Sequence, residues 1–177
     1  MNNLAEEIEI PSGISASIEN NELILSKDGK KVRRKMISPI EAKIDGNKII
    51  VSSKKSGKKE KKVFGSMKAH IRNMILGLNE GFIYKLQAVS VHFPITLKIE
   101  NNQLHVKNFL GEKKDRVIEL VDGVEVNINK DIIELESADI EKAGSVAANI
   151  EKGTKVRKRD RRIFQDGIFI TEKPGRK

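Results

Sequence analysis

The sequence predicts an α+β protein of two duplicated domains, each an antiparallel sheet arrangement packed on one helix. Three observations carry this expectation. The hexapeptide Ile18-Glu19-Asn20-Asn21-Glu22-Leu23 recurs as Ile99-Glu100-Asn101-Asn102-Gln103-Leu104, 81 positions later. Apolar and polar residues alternate around each copy, as in half-buried strands. Each half then ends in a stretch whose apolar residues step by three and four, as on one face of a helix.

The elements follow in order. Ile14, Ala16 and Ile18 alternate with polar residues, as do Ile95, Leu97 and Ile99. Each Asn-Asn pair supplies the positive φ angles of a tight hairpin turn. Leu23 and Leu25 match Leu104 and Val106 on the return strands, and a Gly-containing turn follows in each copy, at Asp28-Gly29 and at Leu110-Gly111. A second hairpin turns through Gly46-Asn47 in the first half and through Asn129-Lys130-Asp131 in the second. The first helix carries Phe64, Met67, Ile71, Met74 and Leu78 on one stripe, with Gly81 as its stop. The second carries Ile140, Ala143, Ala147 and Ile150, with Asp139 as N-cap and Gly153 as its end. The domains are expected at 1–81 and 82–177. Residues 82–93, with Tyr84, Leu86, Val89, Val91 and Phe93, read as a long strand opening the second domain.

The chain has 177 residues, a net charge of +9 and a sequence pI near 9.6, so large polyanions are natural partners. The charge is clustered. Residues 27–35 and 54–62 each hold six basic residues and one acid, and residues 151–177 hold ten against four. Residues 119–141 reverse the balance, with eight acids and Lys130 as the single base. Such clustering is what a polyanion-binding face needs. The Lys-rich stretch 54–62 reads as a mobile loop leading into the first helix.

Other chemistry is not supported. Cysteine is absent, which removes disulfides, thiolate metal sites and cysteine nucleophiles. His70, His92 and His105 have no carboxylate at a familiar ligand spacing, and they read as structural or surface residues. No phosphate-binding loop, dinucleotide fingerprint or nucleophile elbow occurs. Residues 1–10 carry Glu6, Glu7 and Glu9 without an apolar run, unlike a signal peptide. No stretch approaches the roughly 18 apolar residues of a membrane span. A cytoplasmic, non-catalytic protein with no cofactor, metal, membrane contact or small-molecule substrate is expected.

The sharpest basic segment is Lys155-Val156-Arg157-Lys158-Arg159-Asp160-Arg161-Arg162. It holds four of the nine arginines, the residue suited to gripping phosphate with a planar fork. It runs into Ile163, Phe164, Gln165, Asp166, Gly167, Ile168 and Phe169, where Asp-Gly reads as a turn. The expected design is a basic arm pinned at both ends. Asp160 is placed either to orient its arginine neighbours or only to offset their repulsion. Lys173, Arg176 and Lys177 belong to a free tail that is expected to contact the same polyanion. With one Tyr, six Phe and no Trp, stacking on single-stranded bases is disfavoured against contacts to phosphates and shape.

Several motifs then point further. Arg72-Asn73-Met74-Ile75, Glu80-Gly81-Phe82-Ile83-Tyr84-Lys85, His92-Phe93-Pro94-Ile95 and Asn108-Phe109-Leu110-Gly111-Glu112-Lys113 occur in fixed order, followed by Lys158-Arg159-Asp160 through Phe164-Gln165-Asp166-Gly167-Ile168. In these the chain resembles the universal large-subunit ribosomal protein six family, in its archaeal and eukaryotic branch, whose eukaryotic member is called ribosomal protein nine of the large subunit. Phe169 stands where the family often has Tyr, and Lys152 where it commonly has Gln. The resemblance implies duplicated domains and a structural constituent of the large ribosomal subunit that binds its rRNA, mainly through the second domain. It places that contact near the stalk base and the sarcin–ricin loop, with neighbouring ribosomal proteins and translation GTPases close by. By position it implies rRNA contacts at Asn108, Gly111, Lys113 and Lys114 and along Lys155, Arg157, Lys158, Arg159, Arg161 and Arg162. The other reading compatible with the residues is a general binder of structured RNA outside the ribosome.

Overall fold

The structure, a computed structural model, describes residues 4–160 and 162–175. The chain divides into two compact units, Met1–Gly81 and Phe82–Lys177. In the first unit the strands are β1 (Leu4–Glu9), β2 (Ser15–Glu19), β3 (Glu22–Lys27), β4 (Lys30–Lys35), β5 (Ile40–Asp45) and β6 (Lys48–Ser53), followed by helix α1 (Lys58–Glu80). In the second they are β7 (Phe82–Val89), β8 (Thr96–Glu100), β9 (Gln103–Lys107), β10 (Arg116–Glu119), β11 (Glu125–Asn129) and β12 (Ile132–Ser137), followed by helix α2 (Ile140–Gly153) and the extra strand β13 (Gly167–Glu172). The α+β class read from the sequence is the class observed.

Each unit holds two small sheets where a single sheet was the simpler expectation. Unit 1 has β1-β6-β5 and β2-β3-β4, and unit 2 has β11-β12-β7-β13 and β10-β9-β8. All pairings are antiparallel. The ladder breaks between β4 and β5, where Pro39 has no N–H to donate. Strand by strand the units correspond: β1 sits against β6 as β7 sits against β12, and among the described strands only β13 lacks a counterpart.

The turns follow their residues. Asn20, Asn21, Asn101 and Asn102 all take positive φ, between 47° and 64°, as a tight hairpin requires. Gly81 ends α1 at φ 73°, donating its N–H to the Gly77 carbonyl at 3.0 Å. Asp139 caps α2, accepting from the N–H groups of Glu141 and Lys142. The apolar stripes face inward: Phe64, Met67, Ile71, Met74 and Leu78 are buried on α1, and Ala143, Val146, Ala147 and Ile150 on α2. In unit 2 the helix closes on Leu86, Leu104, Val106, Ile133, Leu135 and Ile168, all fully buried. Among the described residues no helix is long and apolar enough to cross a membrane.

Two expectations are corrected. The Lys-rich stretch 54–62 is not a loop throughout, because α1 already begins at Lys58. Lysine is a good helix former, and the Gly57 carbonyl accepts the Lys61 N–H at 3.0 Å to close the first turn. The N-terminal residues are also more than a non-signal sequence. Leu4 to Glu9 form β1 along β6, and Glu6 accepts from Lys68 at 2.5 Å and Arg72 at 3.1 Å on α1. The acids of the N-terminus therefore offset cations of the helix.

Replacing Asp139 with Ala leaves two helix N–H groups without their acceptor. The expected loss is about 1 kcal/mol, read as a lower urea midpoint at an unchanged slope.

Candidate nucleic-acid interface

The loop from β9 to β10 is where unit 2 departs most from unit 1. Val106 pairs with Arg116 as Leu25 pairs with Val32. Residues 107–115 thus fill a connection that unit 1 makes with residues 26–31, three fewer. The extra length winds into a short 3-10 turn, Phe109–Gly111. Asn108 and Leu110 take left-handed backbone at φ 57° and 51°. The Asn108 side-chain amide donates to the Pro94 carbonyl at 3.0 Å, and Phe109 is fully buried. Gly111 suits its place through its backbone, at φ 75°, and it packs beside the Phe93 ring. Beyond it Lys113 and Lys114 stand exposed.

Arg116 joins this loop to the end of α2. Its guanidinium lies 4.0 Å from the centre of the Phe109 ring. Nε and Nη2 donate to the two Glu112 oxygens at 2.9 and 2.6 Å, while Nη1 donates to the carbonyls of Gly153 at 3.0 Å and Lys155 at 3.4 Å. The hydrogen bond from Arg116 holds the Glu112 carboxyl below its usual range against partial burial, and the charges of Arg116 and Arg159 add to that. Arg159, on the arm, is therefore within electrostatic reach of the loop.

The arm leaves α2 through Thr154, which is fully buried. Its hydroxyl donates to the Ile150 carbonyl and accepts the Ile168 N–H, both at 3.0 Å. Glu151 accepts the Ile170 N–H at 3.3 Å. β13 is an edge strand, and these two side chains satisfy its outward N–H groups. Val156 is buried next along the chain, whereas Lys155, Arg157, Lys158 and Arg159 are exposed. A turn follows in which the Asp160 carbonyl accepts the N–H of Ile163 at 3.2 Å and of Phe164 at 2.9 Å. The Asp160 carboxylate takes the Arg162 guanidinium in a fork at 2.8 to 3.2 Å. That side-chain bond, with the Arg162 backbone N–H, lowers the carboxyl below its usual range.

The far end of the arm is held by Asp166. Its buried carboxylate accepts the N–H of Val91 at 2.9 Å, the N–H of His92 at 3.2 Å and the His92 ring Nδ1–H at 2.8 Å. Burial pushes this carboxyl up, but the bonds from His92, Val91 and its own N–H outweigh that and hold it below the usual range. The His92 ring stacks on Phe164 at 4.7 Å, and Arg159 lies over the same Phe164 ring at 4.7 Å. Asp166-Gly167 is therefore not the turn its composition suggests. Gly167 opens β13 opposite Val89, because the Asp166 side chain is committed to the 91–92 backbone. Between the arm, α2 and β13 lies a cavity of about 640 Å³, with Lys152, Lys155, Phe164 and Phe169 among its walls.

Comparison with known proteins reaches the same segments. Residues 93–167 match the family model described as ribosomal protein L6. A large ribosomal subunit protein uL6 of Methanococcus vannielii is 40% identical over 174 residues, covering 98% of this chain and 96% of the relative. One of Sulfurisphaera tokodaii is 40% identical over 172 residues, covering 96% and 92%. The chain belongs to the ribosomal protein L6 family. The stretch matched by the L6 model starts at the Phe93 that packs on Gly111 and ends at the Gly167 that opens β13. It contains the loop, Arg116 and the arm.

The residues expected to touch RNA fall into groups. Lys113 and Lys114 on the loop and Lys155, Arg157, Lys158, Arg159 and Arg162 on the arm are exposed, and Arg116 bonds both segments. Asn108 and Gly111 shape the loop through the contacts just given. Lys173 is exposed beyond β13. Arg161, Arg176 and Lys177 lie outside the described residues. Sequence reasoning missed Arg116, His92 and Asp166 as fasteners. One signal for Arg116 was available: in the repeat it occupies the place of the buried Val32, and a cation in an apolar slot calls for a partner.

Asp166→Asn replaces a buried anion that collects several donors, and the expected loss is about 1–3 kcal/mol at neutral pH. The folded carboxyl titrates below its unfolded value. Its contribution is thus complete above about pH 4 and is lost as pH falls through the folded value. Thermal melts across acid pH should show the gap between wild type and variant closing. A gap that stays constant would show that the charge is not its source.

Proposed function

We propose that the protein is a non-catalytic constituent of the large ribosomal subunit that binds large-subunit rRNA through unit 2, with the 107–115 loop and the 155–162 arm as one contact surface. The observation that carries this reading is the clamp of Arg116 on both segments. It brings exposed cations from two distant stretches together on a fixed backbone. Flexible tails also attract polyanions, but a preformed arrangement of forks and point charges selects a folded RNA of matching shape. The family membership and the names of the uL6 relatives support the same partner. The finer placement implied by the resemblance belongs to this proposal too: a site near the stalk base and the sarcin–ricin loop, with ribosomal proteins beside it and translation GTPases docking close by.

The test is binding of the full chain to large-subunit rRNA and to an unrelated duplex across salt concentrations. A steep salt dependence is expected on both, with a clear preference for the rRNA that survives as salt rises. Equal affinity for the two at every salt concentration would sink the proposal. Changing Lys155, Arg157 and Arg159 together to Ala should weaken rRNA binding at least tenfold and lower the salt slope by about 2 to 3. The melting temperature should fall by only a few degrees, since all three side chains are exposed and the contact of Arg159 with the Phe164 ring is worth about 0.5–1 kcal/mol at such a site.

A further inference from the structure

We propose that the outer face of the β2-β3-β4 sheet in unit 1 is a second surface for an RNA phosphate backbone. The proposal shares with the preceding reading the choice of RNA as partner, and goes beyond it by placing a contact on the other unit.

The argument starts from the alternation along β4. Val32 is buried, and Arg34 reaches His70 of α1 with Nη2 2.7 Å from Nε2. Those two side chains face the helix. Lys31, Arg33 and Lys35 point the other way and are exposed. Same-face residues on a strand lie about 6.6 Å apart, a spacing comparable to that of adjacent phosphates along a nucleic-acid strand. Among the described residues none of the three makes an ion pair.

The register fixes what surrounds them. Lys31 stands opposite Ser26, which stands opposite Ser15. Arg33 stands opposite Ile24, which stands opposite Ser17. These two rows carry cations and hydroxyls and no acid. Ser15 and Ser26 share a hydroxyl hydrogen bond of 2.8 Å, and serine is a common donor to phosphate oxygens. Only the third row holds carboxylates, with Glu22 and Glu19 in line with Lys35. None of the nine positions is aromatic, so the face suits backbone rather than stacked bases.

Unit 2 supplies an internal control. The same face there carries Lys107, Lys98 and His105, but Glu100, Glu119 and Asp115 accompany them. Asp115 lies 3.6 Å from Lys107 and 3.9 Å from His105. A charge pattern demanded by the fold would appear in both copies. Unit 2 sets acids against the cations of this face and carries its exposed cations on the loop and arm, whereas unit 1 leaves the rows of Lys31 and Arg33 without an acid.

The test uses the full chain with Lys31, Arg33 and Lys35 changed together to Ala, titrated with large-subunit rRNA over a range of KCl concentrations. Affinity should fall about tenfold at low salt, and the slope of log K against log salt should drop by about 2 to 3, one phosphate contact per cation removed. A companion variant, Lys31→Glu with Arg33→Glu, should lose more. The melting temperature should hold in the Ala variant, because none of the three side chains enters the core. Unchanged affinity and slope in both variants would overturn the proposal and leave an acidic protein surface as the partner of this face. The arm variant, with Lys155, Arg157 and Arg159 changed to Ala, is measured in parallel. If the arm changes are silent and the strand changes are not, the unit 2 reading fails and this one stands. If only the arm changes weaken binding, this one fails.

Discussion

The last carbonyls of a helix have no partner within it, and at the end of α2 the Arg116 guanidinium bonds the carbonyls of Gly153 and Lys155. The same group lies over Phe109 and is gripped by Glu112. A cation close to a helix C-terminus is favoured by the helix dipole, and its partial burial between an aromatic ring and a carboxylate strengthens each contact. One side chain thereby fixes the start of the arm and the fold of the loop together. Asp166 does the equivalent work at the far end by holding the 91–92 backbone. Between those anchors Lys155, Arg157, Lys158, Arg159 and Arg162 stand exposed despite their mutual repulsion. Without the anchors the arm would be a charge run whose ordering entropy would be lost on binding.

The sequence showed the scaffold well and the fasteners poorly, for physical reasons. The Asn-Asn turns, the two apolar stripes and the Asp139 cap are local: their causes lie within a few residues, and each left a pattern. β1 was missed because its partner, β6, lies 39 to 49 residues away, and Glu6 on its half-buried face interrupts the apolar alternation that marks a strand. The start of α1 was placed too late because a run of lysines reads as solvated loop or as helix with equal ease. Arg116 and the His92–Asp166 pair join residues 37 and 74 positions apart. Such bonds are visible only once the sheets bring the loops together. The Asp-Gly pair misled for the same reason, because a distant acceptor requirement overrode a local turn preference. The exposed cations themselves were legible, since exposure and clustering follow from composition along the chain.

The repeat also separates what the fold requires from what a partner requires. Leu23, Leu25, Leu104 and Val106 are fully buried at matching places in both units, because each small core needs the same volume filled. The solvent faces are free of that constraint, and there the copies differ: a tight turn against a wound loop, a basic strand face against a neutralised one. Fold alone would assign both units the same role, which is why function has to be argued from the sites. The kinds of cation differ as well. The arm is dominated by arginine, whose planar fork discriminates by geometry, whereas β4 mixes lysine with arginine, and lysine acts as a strongly hydrated point charge. Under the proposed function that difference divides the labour. The arm and loop, anchored by Arg116 and Asp166, select a shaped RNA, while the strand face of unit 1 contributes salt-sensitive affinity with little preference for sequence.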